Sequence, residues 1–237
     1  MIAIDAGNTR IKWGVHDGSV WVAQGALPTS EAASLADVSV GWPVAPIVAC
    51  NVAGEKVEAA ITVALATRFA PPLWLRSSAE ACGVRNAYEQ PERLGADRWA
   101  ALIGARGRLP TACLVVCAGT ATTVDWLDAN GTFRGGLILP GVDLMRASLA
   151  RNTAQLPLAD GHFRCEPRNT MDAIVSGCLH AQIGAIERMY AKIAAEPGAV
   201  CLLTGGAAQN IVPLLNIPFQ LTENLILDGL ARFGASQ

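Results

Sequence analysis

The residues best suited to chemistry begin at position five. Asp5 ends the apolar run Ile2-Ala3-Ile4 and is followed by Ala6-Gly7-Asn8-Thr9, a glycine-containing turn of small polar residues. After Arg10, the stretch Ile11-Lys12-Trp13-Gly14-Val15 alternates apolar and polar, which reads as a second strand paired with the first. The tight turn of such a hairpin exposes backbone N–H groups beside a carboxylate. Concave arrays of N–H groups hold phosphate oxygens, and a carboxylate at a strand end can hold the Mg²⁺ that accompanies them. Taken alone, Ile2 to Thr9 suit an ordinary hairpin with an Asn-Thr turn better.

A second stretch with chemical potential is Tyr88 to Trp99, which contains Gly95-Ala96-Asp97-Arg98. Pro91 and Gly95 interrupt it, and the alanine-rich run from Ala96 to Arg106 predicts a helix. Asp97 and Arg98 then lie at a helix N-terminus, where backbone N–H groups lack intrahelical partners. Asp97 is either an ionised base aimed at a hydroxyl or an acidic helix start. Arg98 either binds an anionic group or points into solvent.

The first hairpin has a second copy. Val116-Cys117-Ala118-Gly119-Thr120-Ala121 aligns without a gap on Ile4-Asp5-Ala6-Gly7-Asn8-Thr9, and the strand Thr123-Val124-Asp125-Trp126-Leu127 follows. Two such hairpins, each near the start of one half, indicate an internal duplication with one nucleotide held between the halves. Cys117 stands where the first copy has Asp5.

The elements that must position these residues follow an α/β alternation. Ser19–Ala23 predicts a third meander strand, and the mixed stretch from Gly25 to Trp42 is left unassigned. Pro46–Val52 predicts a buried strand, and Glu55–Phe69 a helix with Val57, Ile61, Leu65 and Phe69 on one face. Pro72–Leu75 is the next strand. In the second half, Cys113–Val116 is a strand, and Asn130-Gly131 signals a hairpin turn before Thr132–Leu139. Helices are expected over Val142–Arg151 and about Met171–Glu196, the second with Thr170 as its default N-cap. Ala199–Leu203 is a strand that runs into Thr204-Gly205-Gly206, and Thr222-Glu223-Asn224 caps a closing helix that ends near Gly234. Strands and helices alternating at this spacing indicate a layered α/β architecture.

Composition narrows the class. Hydrophobic residues are 51% of the 237 and charged residues 16%, so there is ample material for a core, enough for one domain or two small ones. No apolar run reaches the length of a membrane helix, and Met1 leads straight into a strand with no signal-peptide pattern. Seven scattered cysteines without a C-x-x-C pair argue for reduced thiols and a cytoplasmic setting. Three histidines without H-x-x-x-H spacing make zinc improbable, and His162 and His180 read as incidental. A net charge of −2 argues against a large nucleic-acid surface. The chain has no G-x-x-x-x-G-K-[ST], which excludes a P-loop kinase on motif grounds.

The two hairpins resemble the paired phosphate-binding motifs of the acetate kinase, sugar kinase, Hsp70 and actin superfamily. In detail the chain is similar to type III pantothenate kinases. That resemblance rests on the hairpins, Tyr88, Gly95-Ala96-Asp97-Arg98, Gly135 to Gly141, Thr153 to Pro157, Thr170 and Thr204 to Gly206. It implies duplicated ribonuclease H-like domains over 1–109 and 110–237, with ATP in a cleft between them, and phosphorylation of pantothenate as the reaction. Asp5 would hold Mg²⁺ directly or through water. The run Asp5, Ala6, Gly7, Asn8, Thr9, Arg10, Ile11 and Lys12, with Thr120, would contact the nucleotide. Tyr88, Gly95, Ala96, Asp97 and Arg98 would contact pantothenate, with Asp97 catalytic and Arg98 on the carboxylate. Thr170 would reach the partner subunit's site in a homodimer. No nucleic-acid or membrane partner is implied. At the position of Cys117 the family has an aspartate for an activating K⁺ or NH₄⁺; a thiol is a poor ligand for a hard cation, so that site is expected to be weakened or absent. The rival readings are a kinase for another small hydroxyl substrate and a nucleotide-binding regulatory protein that has lost catalysis.

Overall fold

The apolar run at the N-terminus forms β1, Ile2–Ala6, buried along its whole length. The computed structural model describes all 237 residues, which divide into two units. The first is Met1–Pro110 with Gly131–Arg134 and Asn224–Gln237; the second is Thr111–Asn130 with Gly135–Glu223.

In the first unit β1 is the central strand of five. It pairs antiparallel with β2, Arg10–His16, which pairs with β3, Trp21–Pro28. On its other side β1 runs parallel to β4, Ile47–Asn51. The helix α1, Leu35–Val38, precedes β4; α2, Glu55–Leu65, follows it and leads to β5, Leu73–Trp74, which completes the order β3-β2-β1-β4-β5. Successive β1 side chains alternate between the faces of the sheet. Ile2, Ile4 and Ala6 join Ile11, Val15, Ile61 and Leu65 in one core, which leaves Ala3 and Asp5 on the opposite face. Short strands β6, Glu80–Ala81, and β7, Val84–Asn86, precede α3, Ala96–Arg108.

Several boundaries differ from expectation for local reasons. The third strand starts at Trp21, not Ser19, because Asp17 closes a turn by accepting the N–H groups of Ser19 and Val20. The helix after β4 ends at Leu65, yet Phe69 stays buried because its N–H still reaches the Leu65 carbonyl. The closing helix, Leu225–Gly234, lies in the second half of the sequence but packs in the first unit, against α3. Gly104 and Gly229 permit that crossing: a Cβ on either would collide with the other helix's backbone. Asp228 anchors it by accepting from Trp21 Nε1 at 2.8 Å and Arg108 Nε at 3.0 Å. Asn224 does precede this helix, but in a left-handed conformation and without a side-chain capping bond.

The second unit repeats the topology. It comprises β8, Cys113–Ala118; β9, Ala121–Leu127; β10, Thr132–Pro140; α4, Val142–Asn152; α5, Thr170–Tyr190; β11, Val200–Thr204; α6, Ala208–Ile211; and β12, Phe219–Leu221. The first residues of β10, Thr132 and Phe133, pair with β7 and belong to the first unit. Here β8 is central, antiparallel to β9 and parallel to β11, in the order β10-β9-β8-β11-β12. That matches β3-β2-β1-β4-β5 strand for strand, so the duplication expected from two similar hairpins extends to both sheets. The buried stripe of α5, including Ile174, Cys178 and Ile186, packs with Val116, Val124 and Leu203. α5 stops at Tyr190, short of Glu196, and the Tyr190 hydroxyl donates to the Ala199 carbonyl at 2.9 Å.

Candidate active site

Asp5 sits at the end of β1 on the face away from the first core. The register places Lys12 of β2 opposite it and Cys50 of β4 beside it, so the three side chains share one face. Asp5 is 6% exposed and Cys50 fully buried, and the Cys50 thiol donates to Asp5 Oδ1 at 3.6 Å. Burial, with a smaller push from the negative charge of Asp97, raises the Asp5 carboxyl to about 6; Lys12 and the thiol pull the other way.

The turn beyond β1 is closed by Gly7 N–H donating to the Arg10 carbonyl at 3.1 Å, with Asn8, Thr9 and Arg10 exposed at its tip. Ala6 and Ile11 are buried, so they offer only backbone. Thr29, at the end of β3, fixes the turn from behind. Its hydroxyl donates to the Gly7 carbonyl at 2.6 Å and its N–H to the Thr9 carbonyl at 3.0 Å.

Asp97 lies in the first turn of α3, as expected, half-buried, with Oδ1 accepting the Arg98 N–H at 2.8 Å. Burial raises its carboxyl, opposed by that N–H and by the Arg98 charge. A Cβ at Gly95 would come within 2.7 Å of Asp97 Oδ1, so the residue type leaves room for the carboxylate. Arg98 does not point into solvent; it is 4% exposed. Its Nη1 donates to the Tyr88 hydroxyl at 2.9 Å, and its guanidinium carbon lies 5.7 Å from the ring centres of both Tyr88 and Phe133. Asn86 holds the Tyr88 segment by accepting the Tyr88 N–H and donating to the Pro91 carbonyl. The first unit therefore brings together Asp5, Lys12, Asp97, Arg98 and Tyr88.

Asp5 is a buried carboxylate whose ionisation the charge of Asp97 makes still costlier, so its charge is only partly compensated by Lys12. A hard divalent cation fits it, because Mg²⁺ is commonly held by one or two carboxylates plus phosphate oxygens and water. No group of three or more His, Cys, Asp and Glu side chains is placed to hold a metal ion.

In the second unit Thr120 is exposed at the turn between β8 and β9, and its carbonyl accepts the Gly141 N–H at 2.8 Å. Gly119 N–H donates to the Ala121 carbonyl, so this turn is one residue tighter than that of the first hairpin. Gly205, at φ +102°, approaches Ala118 so closely that a Cβ would collide with its backbone. Cys117 is directly opposite Thr123. Asp125, opposite Val115, is buried on the face that Cys117 shares. The hydroxyls of Thr122 and Thr123 are buried without a hydrogen-bond partner. Thr170 is not the helix cap: Asn169 takes that role by accepting the Asp172 N–H at 2.9 Å, and Thr170 is exposed as the first residue of α5.

Two residues of the site escaped the sequence. Cys50 becomes Asp5's neighbour only once β4 is known to lie beside β1. Thr29 falls in the stretch left unassigned, and nothing local marks its hydroxyl as the brace of the first turn.

A family model described as type III pantothenate kinase matches residues 1–192. A type III pantothenate kinase of Aromatoleum aromaticum is 59% identical over 232 residues, spanning 98% of this chain and 96% of that one. Among solved structures, a conserved putative Baf family transcriptional activator from Campylobacter jejuni superposes with a TM-score of 0.65 at 21% identity, covering 100% and 98% of the two chains. A putative 2-dehydro-3-deoxygalactonokinase from Sinorhizobium meliloti gives 0.60 at 15%, covering 99% and 98%. These two likenesses concern the fold, which is of the actin, Hsp70 and sugar kinase type.

Proposed function

The chain belongs to the type III pantothenate kinase family, and from that premise we propose how its residues carry the reaction. The reaction is the ATP-dependent phosphorylation of pantothenate to 4′-phosphopantothenate, the first step of coenzyme A biosynthesis. Its chemistry asks mainly for positioning and charge stabilisation. Asp97 accepts the proton of the pantothenate primary hydroxyl as that oxygen bonds to the γ-phosphorus and the bond to ADP breaks. Burial raises its affinity for a proton, which makes it a stronger base than an exposed carboxylate. Arg98 pairs with the pantothenate carboxylate, its guanidinium already oriented by the Tyr88 hydroxyl and the rings of Tyr88 and Phe133. Asp5 holds Mg²⁺, which when bound neutralises charge on the phosphates. Gly7, Asn8, Thr9 and Lys12 line the phosphates, with Thr120 as a further contact.

Three further assignments belong to the proposal. The enzyme acts as a homodimer in which Thr170 reaches the partner's pantothenate. It needs K⁺ or NH₄⁺ less than its relatives, because Cys117 is a poor ligand for a hard cation. It works in the cytoplasm, in keeping with seven free cysteines. No helix is long and apolar enough to cross a membrane.

The observation that carries the proposal is the meeting of Asp5, Asp97 and a clamped Arg98 in one unit. The test is Arg98→Ala. Removing a charge-assisted partner raises the KM for pantothenate about 10–100-fold while the KM for ATP stays within about twofold. Pantothenate with its carboxylate converted to a neutral amide should be a correspondingly poor substrate of the wild type. Equal use of acid and amide would refute the pairing.

A further inference from the structure

Asp5 has one side-chain neighbour that the reaction does not explain. Cys50 is fully buried, on the parallel strand directly beside Asp5, and its Sγ lies 3.6 Å from Asp5 Oδ1. A buried cysteine by default is a small hydrophobe. This one instead spends its only donor on a carboxylate, on the sheet face opposite the Ile2, Ile4 and Ala6 core. Its strand also fixes the end of β1: Val52 N–H donates to the Ala6 carbonyl at 3.0 Å, so the backbones of Asp5 and Cys50 are locked in register up to the turn.

We propose that Cys50 is a positioning residue for the metal-holding carboxylate: its thiol pins Oδ1 of Asp5 and so leaves the other oxygen to face the divalent cation. The inference rests on the reading that Asp5 holds Mg²⁺. A group that fixes a ligating side chain from behind pre-sets its rotamer and reduces the ordering cost of binding. The Asp5 carboxylate otherwise has two equivalent oxygens, and rotation about its last bond would let either face the cation. Lys12, across on β2, is exposed and attracts the carboxylate as a point charge without choosing between them. The thiol makes that choice.

The experiment measures Mn²⁺ binding by electron paramagnetic resonance in the presence of ADP, together with the Mg²⁺ dependence of turnover. Wild type, Cys50→Ala, Cys50→Ser and Asp5→Asn are compared, with thermal melting as a check on folding. Cys50→Ala should bind Mn²⁺ about tenfold more weakly, the low end for loss of an outer-shell partner because a thiol is a weak donor. It should also need more Mg²⁺ for half-maximal turnover, with the KM for pantothenate unchanged. Cys50→Ser, which keeps a donor on the same carbon, should recover wild-type binding within about twofold. Melting of the two Cys50 variants within a few degrees of wild type excludes a merely structural effect. If Asp5→Asn abolishes Mn²⁺ binding but Cys50→Ala leaves it unchanged, the proposal for Cys50 is overturned while the role of Asp5 stands. Weakening in both Cys50 variants alike overturns it too, since the donor would then be irrelevant. If Asp5→Asn binds as wild type does, the reading of Asp5 fails and the inference with it.

Discussion

A carboxyl group held like Asp5 works against the fold that holds it. In an unfolded chain its pKa is 3.8; burial and the neighbouring Asp97 raise it to about 6. Between those values the native state binds a proton that the unfolded state has released, so stability falls as pH rises from about 4 to about 6 and is then flat with respect to this group. The loss amounts to up to about 3 kcal/mol above pH 6. Asp97, raised by its own burial, acts in the same direction. Replacing Asp5 by the neutral Asn should therefore raise the melting temperature of the metal-free protein by several degrees at pH 7.5. At pH 4.5, where the native carboxyl is mostly protonated but the unfolded one has begun to ionise, the difference should shrink to about a third. Calorimetry in chelator at the two pH values checks this; an equal loss of stability at both would mean that the carboxylate is satisfied as it stands. On the proposed role of Asp5, a bound cation would relieve this unfavourable charge, and stabilisation by added Mg²⁺ and ADP should be larger for wild type than for Asp5→Asn.

At the scale of elements, the hairpins were legible because their signal is local. A period of two on either side of a small-residue turn specifies β1–β2 and β8–β9, and both form over nearly the expected residues. The start of α3 was legible for the same reason. Capping was read less well: Thr170 looked like a cap, yet Asn169, with its side chain three residues from Asp172, is better placed to bond that N–H. What no local pattern carries is register between distant strands, which is how Cys50 meets Asp5. The second hairpin shows where the two copies diverge. Its tighter turn and Cys117 replace the carboxylate of the first copy, and Asp125, two residues along β9 from Thr123, shares the Cys117 face. A thiol there should leave turnover nearly equal in sodium and potassium buffers of one ionic strength, and Cys117→Asp should make turnover rise in potassium. A strong potassium requirement in wild type that the substitution leaves unchanged would place the cation elsewhere.

At the scale of the molecule, one strand order used twice explains why so few motifs predict so much. Each copy puts a hairpin turn at the end of a central strand, buried throughout in β1 and at all but Cys117 in β8, and the rest of each unit covers that strand on both faces. The return of Leu225–Gly234 to the first unit could not be foreseen, because Gly104 and Gly229 lie far apart in sequence and each is unremarkable until the two helices cross. The family role carried onto Thr170 is the basis for expecting a homodimer. Light scattering at micromolar concentration should give twice the chain mass, and a fully active monomer would contradict it. The most direct test of the whole account is product formation by wild type and Asp97→Asn from ATP, Mg²⁺ and pantothenate, read by mass spectrometry as 4′-phosphopantothenate. Wild type should make it, and Asp97→Asn, folded and still binding ATP, should make it about 10²–10⁴-fold more slowly. No product from wild type, or a variant within twofold of it, would contradict the account.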